Sequence, residues 1–147
     1  MVTRSQIAQA ARALIGTPFA HQGRIPGIGI DCVGIPLLVG EMFHLSDITG
    51  AVIRGADHNR YTAQPHSDVV FDVCTKRLIP VQEVKVGCVL ALNCMTVACH
   101  AAIVTAPLGF LHFVHANQHL GKVVETPLDA KWRRRIKGIF EFPGTTD

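Results

Sequence analysis

The spacing of apolar residues changes from a helical period to a strand period about halfway along the 147-residue chain. In the first half, apolar side chains recur every three or four positions, which predicts helices over residues 3–15, 32–44 and 67–78. Thr3 and Gln6 form a capping box that starts the first helix, and Gly16 ends it. Glycine and proline are frequent in residues 16–31, so this segment is predicted to be a loop.

From residue 84 onward the apolar runs are short, rich in β-branched or aromatic residues, and separated by turn signals such as residues 106–109. The pattern predicts strands over residues 88–92, 100–105, 110–116, 122–126 and 136–142. Residues 57–60 and 63–66 are predicted to be loops. Helices followed by an antiparallel sheet indicate an α+β fold with N-terminal helices packed on a small sheet. We predict a single domain over residues 1–147.

Composition excludes several classes of protein. The chain is 48% hydrophobic, which is ample for one core and argues against disorder. No apolar run approaches the roughly 20 residues of a membrane span, and residues 1–9 lack the apolar core of a signal peptide. We therefore predict a soluble protein made in the cytoplasm, with no membrane partner. The five cysteines are an odd number and are predicted to be mostly reduced.

The basic residues are unevenly distributed. The formal charge is only +3, yet five of the 14 basic residues fall within residues 131–137. A nucleic-acid surface usually adds stacking aromatic residues, and only Trp132 accompanies this block. We favour a charged turn that leads into the last strand, and predict no nucleic-acid partner.

Cys32 has the strongest chemical context of the five cysteines. The apolar run after it predicts that a helix begins there with Asp31 as its N-cap. Free N–H groups and the positive end of the helix dipole favour a thiolate at such a position. Pro36 is tolerated only in a first turn, so the helix is expected to start a residue or two late or to be distorted there.

Two histidines of the predicted sheet can supply a base for this thiol. His100 begins one strand and His115 ends the next. In a hairpin that turns near Pro107 and Gly109, the start of one strand faces the end of its partner, so the two rings are expected to be close. His112 lies three residues from His115 and points to the opposite face, which makes it the less favoured partner.

Several short segments together resemble the successive motifs of the NlpC/P60 cysteine peptidases. The resemblance covers nearly the whole chain. In chain order the segments are Gly16-Thr17-Pro18-Phe19, Gly29-Ile30-Asp31-Cys32-Val33-Gly34, Val86-Gly87-Cys88-Val89-Leu90, His100-Ala101-Ala102-Ile103-Val104 and Phe113-Val114-His115-Ala116. Two further segments are similar to the phage and prophage branch, whose members accompany tail genes: His21-Gln22-Gly23-Arg24, and residues 132–136 before residues 140–143.

This resemblance implies a papain-like fold and a thiol protease that hydrolyses peptidoglycan, the bacterial cell wall, in its stem peptide beside a D-γ-glutamyl residue. It implies that Cys32 is the nucleophile, His100 the base and His115 the residue that orients the base. No metal or organic cofactor is implied. The phage branch implies tail proteins as partners and the virion tail as a further location.

Three positions depart from the family pattern. Phe19 replaces a common tyrosine whose hydroxyl can serve the oxyanion, so His21 and Gln22 become candidate donors on the substrate side, beside Phe19 and Asp31. Valine follows the cysteine where serine is usual, and Cys88 stands where aspartate is common. These departures keep open an inactive or weakly active tail-assembly protein of the same fold.

A metal-binding module is the alternative from another class. Cys94, Cys99 and His112 fit the first three ligands of a small zinc finger. For the fourth ligand, His115 is too close and His119 too far. His112 and His115 also lie in a strand pattern instead of a finger helix, so the spacing disfavours zinc.

Overall fold

The structure is a computed structural model that describes residues 1–53, 68–93 and 98–147, without the side chains of residues 98 and 99. The predicted loops at 57–60 and 63–66, the start of the helix predicted from residue 67, and Cys94 lie outside the described residues. The helices are α1 (Arg4–Arg12), α2 (Gly34–Met42), α3 (Val69–Arg77) and α4 (Ala130–Arg133). The strands are β1 (Val2–Thr3), β2 (Arg24–Ile25), β3 (Gly29–Ile30), β4 (Ile79–Pro80), β5 (Val89–Asn93), β6 (Ala98–Thr105), β7 (His112–Asn117), β8 (Lys122–Pro127), β9 (Ile136–Glu141) and β10 (Thr145–Thr146).

Helix α1 starts at the predicted capping box. Thr3 Oγ1 accepts a hydrogen bond from the Gln6 N–H at 3.1 Å, and Gln6 Oε1 accepts one from the Thr3 N–H at 2.9 Å. These two bonds satisfy backbone donors that have no partner within the helix. The helix ends at Arg12, earlier than predicted, because the chain tightens into turns before Gly16, whose φ is +91°.

Helix α2 starts at Gly34, two residues later than the cysteine, as the proline predicted. Pro36 is then the third helical residue, and its missing N–H falls where no helical acceptor exists. The helix carries a nearly continuous apolar surface, and six of its nine residues are buried. It therefore packs into the core instead of lying on the surface.

The main sheet has six antiparallel strands in the order β4-β9-β5-β6-β7-β8. Helices α1, α2 and α3 pack on one face over β6, around a core that includes Ile7, Ile35 and Val114. The opposite face carries a second apolar cluster around Leu90, Phe113 and half-buried Trp132. The predicted α+β architecture is confirmed, and the five predicted strands match β5 to β9 within two residues at each end.

Several short elements were not predicted, among them the two-residue strands β1, β4 and β10. Residues 24–30, within the predicted loop, form the short hairpin β2–β3. Residues 130–133, within the predicted charged turn, form the single helical turn α4, whose first N–H groups are capped by Asp129. No helix in the described parts of the chain is long and apolar enough to cross a membrane.

Strands β6 and β7 separate at one end. Their pairing runs from Thr105–His112 to Ile103–Val114 and stops there, although β6 stays paired with β5 through His100 and β7 with β8 through Asn117. The first residues of β6 and the last residues of β7 are therefore not paired with each other in the sheet. This opening holds the two histidines singled out by the sequence.

Candidate active site

Asp31 fixes the loop that leads to Cys32. Its side chain is 4% exposed, and Oδ1 accepts hydrogen bonds from Arg24 Nη1 at 2.7 Å and from the Gly34 N–H at 3.0 Å. Oδ2 accepts one from the Gln22 N–H at 2.8 Å. One carboxylate thus ties the loop, the β2–β3 hairpin and the start of α2 together.

The prediction that Asp31 is the N-cap residue is wrong in position but close in effect. The N-cap is Val33, which has helical dihedral angles and makes no side-chain capping bond. Asp31 nevertheless reaches the Gly34 N–H from three residues upstream, as a capping side chain does. The carboxylate therefore accepts from a backbone N–H at the start of the helix that Asp31 was predicted to cap.

Cys32 lies between this anchor and the sheet. It is half-buried and forms no disulfide, and its thiol receives hydrogen bonds from the backbone of Ala101 and of Val33. Because Ala101 follows His100 directly, the first bond places the thiol against the start of β6, at the opening between β6 and β7. The sequence predicts that Cys32 and His100 belong to one site, and in the structure both residues lie at the same end of the sheet.

The ionisation of Cys32 differs from the expectation for a cysteine at a helix start. Burial raises the pKa of the thiol to about 11, and the nearby negative charge of Asp31 raises it further. The two backbone N–H groups and Arg24 lower the pKa, but by less. The predicted thiolate is therefore not the resting form, because loss of hydration outweighs the donors that the sequence revealed.

His100 and His115 form the predicted cross-strand pair. His100 Nε2 lies 2.7 Å from His115 Nδ1, and the rings meet edge to face with centroids 4.9 Å apart. His115 is 1% exposed, whereas His100 is half-buried. Burial lowers the pKa of His100 to about 4 and that of His115 to about 3, with smaller contributions from Arg135 and from His100, respectively. Both rings are therefore neutral near pH 7.

Thr126 continues the hydrogen-bond chain on the far side of His115. His115 Nε2 lies 2.9 Å from Thr126 Oγ1. A neutral imidazole carries one N–H, so one proton arrangement has His100 Nε2 donating to His115 Nδ1 and His115 Nε2 donating to Thr126. In this arrangement His100 Nδ1 keeps its lone pair and can accept a proton. Thr126 was not predicted as a site residue.

His112 takes no part in the pair. It lies opposite Thr105 and Pro127 in the sheet, and its Nδ1 contacts the Phe110 carbonyl at 3.0 Å. Because three residues separate it from His115 along a regular strand, the two rings occupy opposite faces. The preference for His115 over His112 is confirmed by this geometry.

The same geometry bears on the zinc alternative. His112 and His115 point away from each other, so they cannot serve as two ligands of one ion. Cys94 and the Cys99 side chain lie outside the described residues. Among the residues that the structure does describe, no group of three or more His, Cys, Asp or Glu side chains is arranged to hold a metal ion.

The remaining candidates lie on the loop side. Phe19 is half-buried against the core beside Ile30, and it offers no hydroxyl. His21 and Gln22 are exposed, and Gln22 has a positive φ of 59°. The Gln22 N–H already donates to Asp31, so this backbone group is not a free donor for an oxyanion. The Gln22 and His21 side chains stay candidates.

Trp132 closes the site behind the histidines. Its ring packs edge to face on His115, with centroids 5.5 Å apart, and on Phe113 at 4.9 Å. The guanidinium of Arg135 lies over the same ring, 4.9 Å from its centroid. The segment that the sequence indicated as a charged turn therefore forms a wall of the candidate site.

Comparison with known proteins places the fold. No protein-family model matches the sequence, and no curated protein matches it. The structure is similar to an NlpC/P60 family protein from Bacillus cereus, with a TM-score of 0.64 and 13% identity over 92% of this chain. It is also similar to the NlpC/p60 domain of the peptidoglycan hydrolase SagA, with a TM-score of 0.58 and 24% identity over 95% of this chain. An NLP/P60 family protein similar to lipoprotein, from Staphylococcus aureus, gives a TM-score of 0.57 at 16% identity over 94% of this chain.

The lengths of these structures differ. The chain spans 99% of the SagA domain, but only 39% of the Bacillus cereus protein and 40% of the Staphylococcus aureus protein. All three similarities concern the arrangement of helices and strands. The chain therefore has the papain-like fold of the NlpC/P60 proteins.

Proposed function

We propose that this protein is a cysteine peptidase that hydrolyses an amide bond in the stem peptide of bacterial peptidoglycan, beside a D-γ-glutamyl residue. The observation that carries the proposal is the meeting of three groups at one opening of the sheet: the Cys32 thiol against Ala101, and the hydrogen-bonded pair of His100 and His115. The substrate class follows from the fold shared with the SagA domain, which belongs to a peptidoglycan hydrolase.

The resting ionisation states define the first step. Near neutral pH the Cys32 thiol is protonated, because its pKa is about 11, and His100 is neutral, because its pKa is about 4. His100 then acts as a general base that removes the thiol proton as the sulfur attacks the amide carbonyl. A preformed thiolate is not required.

The later steps use the same two groups. The tetrahedral oxyanion is held in part by the backbone N–H of Cys32, and protonated His100 gives its proton to the leaving amine. The C–N bond breaks and a thioester to Cys32 remains. Neutral His100 next removes a proton from water, the water oxygen attacks the thioester, and the thiol leaves with the proton from His100. Atoms and charge are restored at the end of the cycle.

His115 keeps His100 in the reactive orientation. Its Nδ1 accepts a hydrogen bond from the His100 Nε2–H at 2.7 Å, which leaves His100 Nδ1 as the basic nitrogen. When His100 becomes an imidazolium, His115 Nδ1 still accepts, so the developing positive charge has a buried acceptor. A neutral acceptor stabilises that charge less than a carboxylate does, so we expect a moderate rate.

The experiment is digestion of defined muropeptides followed by mass spectrometry of the products. The proposal predicts two fragments, cut beside the D-γ-glutamyl residue, whose masses add up to the mass of the intact stem plus one water. Stem peptides with an α-linked L-glutamyl residue serve as the matched control and should stay intact. Fragments cut elsewhere would correct the bond, and intact muropeptides over a wide pH range would contradict the proposal.

A second candidate function is favoured by one position. Phe19 stands where a hydroxyl would serve the oxyanion, so a tail-assembly protein that keeps the fold with little or no activity is the alternative. We propose a phage or prophage tail context in either case, on the similarity of residues 21–24, 132–136 and 140–143 to that branch. Restoration is the test: Phe19→Tyr should raise an existing hydrolytic rate, whereas a protein inactive in both forms supports the assembly role.

A further inference from the structure

Arg135 is placed beside the histidine pair by the register of the sheet. Ile136 on β9 lies opposite Leu92 on β5, and Leu92 lies opposite His100 on β6. Arg135 directly precedes Ile136, so its backbone is about 10 Å from His100, the width of two strand spacings. An extended arginine side chain reaches most of that distance.

The Arg135 side chain is held on the same wall as the pair. Its guanidinium lies 4.9 Å from the centroid of the Trp132 ring, and that ring lies 5.5 Å from the ring of His115. The half-buried indole is itself fixed by Phe113. Stacking on this ring restricts the guanidinium to the neighbourhood of the site and leaves its N–H donors available at the edge.

No described residue supplies a carboxylate to Arg135. Three arginines on other elements are paired: Arg4 contacts Glu141 and Asp147, Arg12 contacts Glu125, and Arg77 contacts Asp47. Arg133 and Arg134, on the same turn as Arg135, are exposed to solvent. Arg135 is half-buried, and within the described residues its guanidinium makes a cation–π contact with the Trp132 ring. A partly desolvated cation without an anion is an attractive site for an anionic group of a ligand.

We propose that Arg135 binds a free carboxylate of the substrate next to the reacting amide. This inference rests on the proposed function, because a glutamyl residue linked through its γ-carboxyl keeps its α-carboxylate free. In the substrate, that carboxylate is only a few bonds from the hydrolysed amide. In the protein, Arg135 is two strands from His100, so the guanidinium is near enough to meet the carboxylate when the amide lies at His100. A planar guanidinium can hold a carboxylate by two parallel hydrogen bonds.

The test compares two substrates that differ in one group. One stem peptide carries D-γ-glutamate with a free α-carboxylate, and the other carries the α-carboxamide, D-isoglutamine. The wild-type protein should cleave the acid with a kcat/KM about tenfold or more above that of the amide, the value expected for a charged hydrogen bond. Arg135→Met should remove this preference by raising KM for the acid while changing kcat little.

Two control variants separate recognition from general charge. Arg133 is exposed on the same turn, so Arg133→Met removes one positive charge and should keep the preference for the acid. Arg135→Lys should retain part of the preference, because it keeps the charge but loses the two parallel donors. Circular dichroism and thermal unfolding confirm that each variant is folded.

Several results would overturn the inference. An Arg135→Met protein that still prefers the acid rules it out. The same conclusion follows if Arg135→Met keeps the preference for the acid and only shifts the acidic limb of the activity profile to higher pH. Arg135 would then act only through the pKa of His100. If the wild-type protein cleaves neither substrate, the proposed function fails separately. Binding of both peptides to Cys32→Ala, measured by calorimetry with and without Arg135→Met, then still decides whether Arg135 distinguishes acid from amide.

Discussion

The two sides of the candidate site are held in place by different forces. On the loop side, Cys32 is positioned by the contacts of one buried carboxylate, Asp31, with Arg24, Gln22 and Gly34. On the sheet side, His100 and His115 are positioned by strand pairing that continues on their outer neighbours, β5 and β8. The loop side therefore adds the contacts of one buried side chain to its backbone bonds, such as the bond from the Ile30 N–H to the Pro18 carbonyl. The sheet side depends on continuous strand pairing that side-chain changes leave intact.

The largest effect is expected on the sheet side, in activity and not in stability. His100→Ala should lower kcat by about 10³-fold or more, because it removes the base. His115→Ala should cost less, since it removes only the orienting group. The His100→Ala variant should unfold within about 1–2 kcal/mol of the parent, as the strands keep their backbone pairing. Steady-state kinetics and urea unfolding give both numbers, and a larger loss in His115→Ala than in His100→Ala would reverse the assigned roles.

The second prediction concerns the loop side and reverses that pattern. Asp31→Ala leaves Arg24 buried without its partner, so we expect a loss of about 3–5 kcal/mol in the free energy of unfolding. Lys137→Met is the control, because the Lys137–Asp68 pair is about one-third exposed and should contribute less than about 1 kcal/mol. Equal effects in the two variants would show that the loop is not held by the buried ion pair.

The third prediction tests the end of the hydrogen-bond chain. Thr126→Val keeps the shape of the side chain but removes the oxygen that lies 2.9 Å from His115 Nε2. We expect kcat to fall by about tenfold, with KM unchanged, because the favoured proton arrangement of the two rings loses its acceptor. Thr126→Ser should restore most of the rate. A valine variant with the parent rate would remove Thr126 from the site.

The last prediction concerns the pH dependence of stability. The pKa of His115 is about 3 in the folded protein, below the ordinary value of 6.5. The unfolded chain therefore binds a proton that the folded chain does not, and stability falls as the pH drops from 6.5 toward 3. His100 adds to this loss in the range from 6.5 to about 4.

A loss of about 2–3 kcal/mol for each ring between pH 7 and pH 4.5 is expected in urea unfolding. His115→Gln should reduce it, because the amide does not titrate. The reduction should be specific to this ring. His119→Gln, on the turn between β7 and β8, is the control and should keep the full slope. A flat profile in the parent protein would show that the pair is hydrated and that its charge state is not set by burial.

The features that could be predicted from the sequence are those with local signals. The capping box of α1 is written in two residues three positions apart, and the His100–His115 pair follows from one hairpin turn. Thr126 was missed because its approach to His115 depends on the next hairpin as well. It lies opposite Phe113, diagonal to His115, in the register set by the turn at Gly121.

The thiolate prediction failed for a different reason. A helix start and an aspartate are visible in sequence, but the degree of burial around Cys32 is set by residues brought together from distant segments, such as Ala101. Burial then decides the sign of the pKa shift. The proposed role of Arg135 is likewise not visible in the sequence, because the charged block at residues 131–137 is typical of a solvated turn. In the structure α4 packs Trp132 against the second apolar cluster.

The most direct test of the central claim compares two cysteine variants on one stem-peptide substrate. Cys88 is buried just before β5, whereas His100 lies opposite Leu92 near the other end of that strand, so Cys88→Ala serves as the control. The parent and Cys88→Ala should release the same products at similar rates, and folded Cys32→Ala should release none. Product formed by Cys32→Ala at the parent rate would contradict the claim that this thiol is the nucleophile.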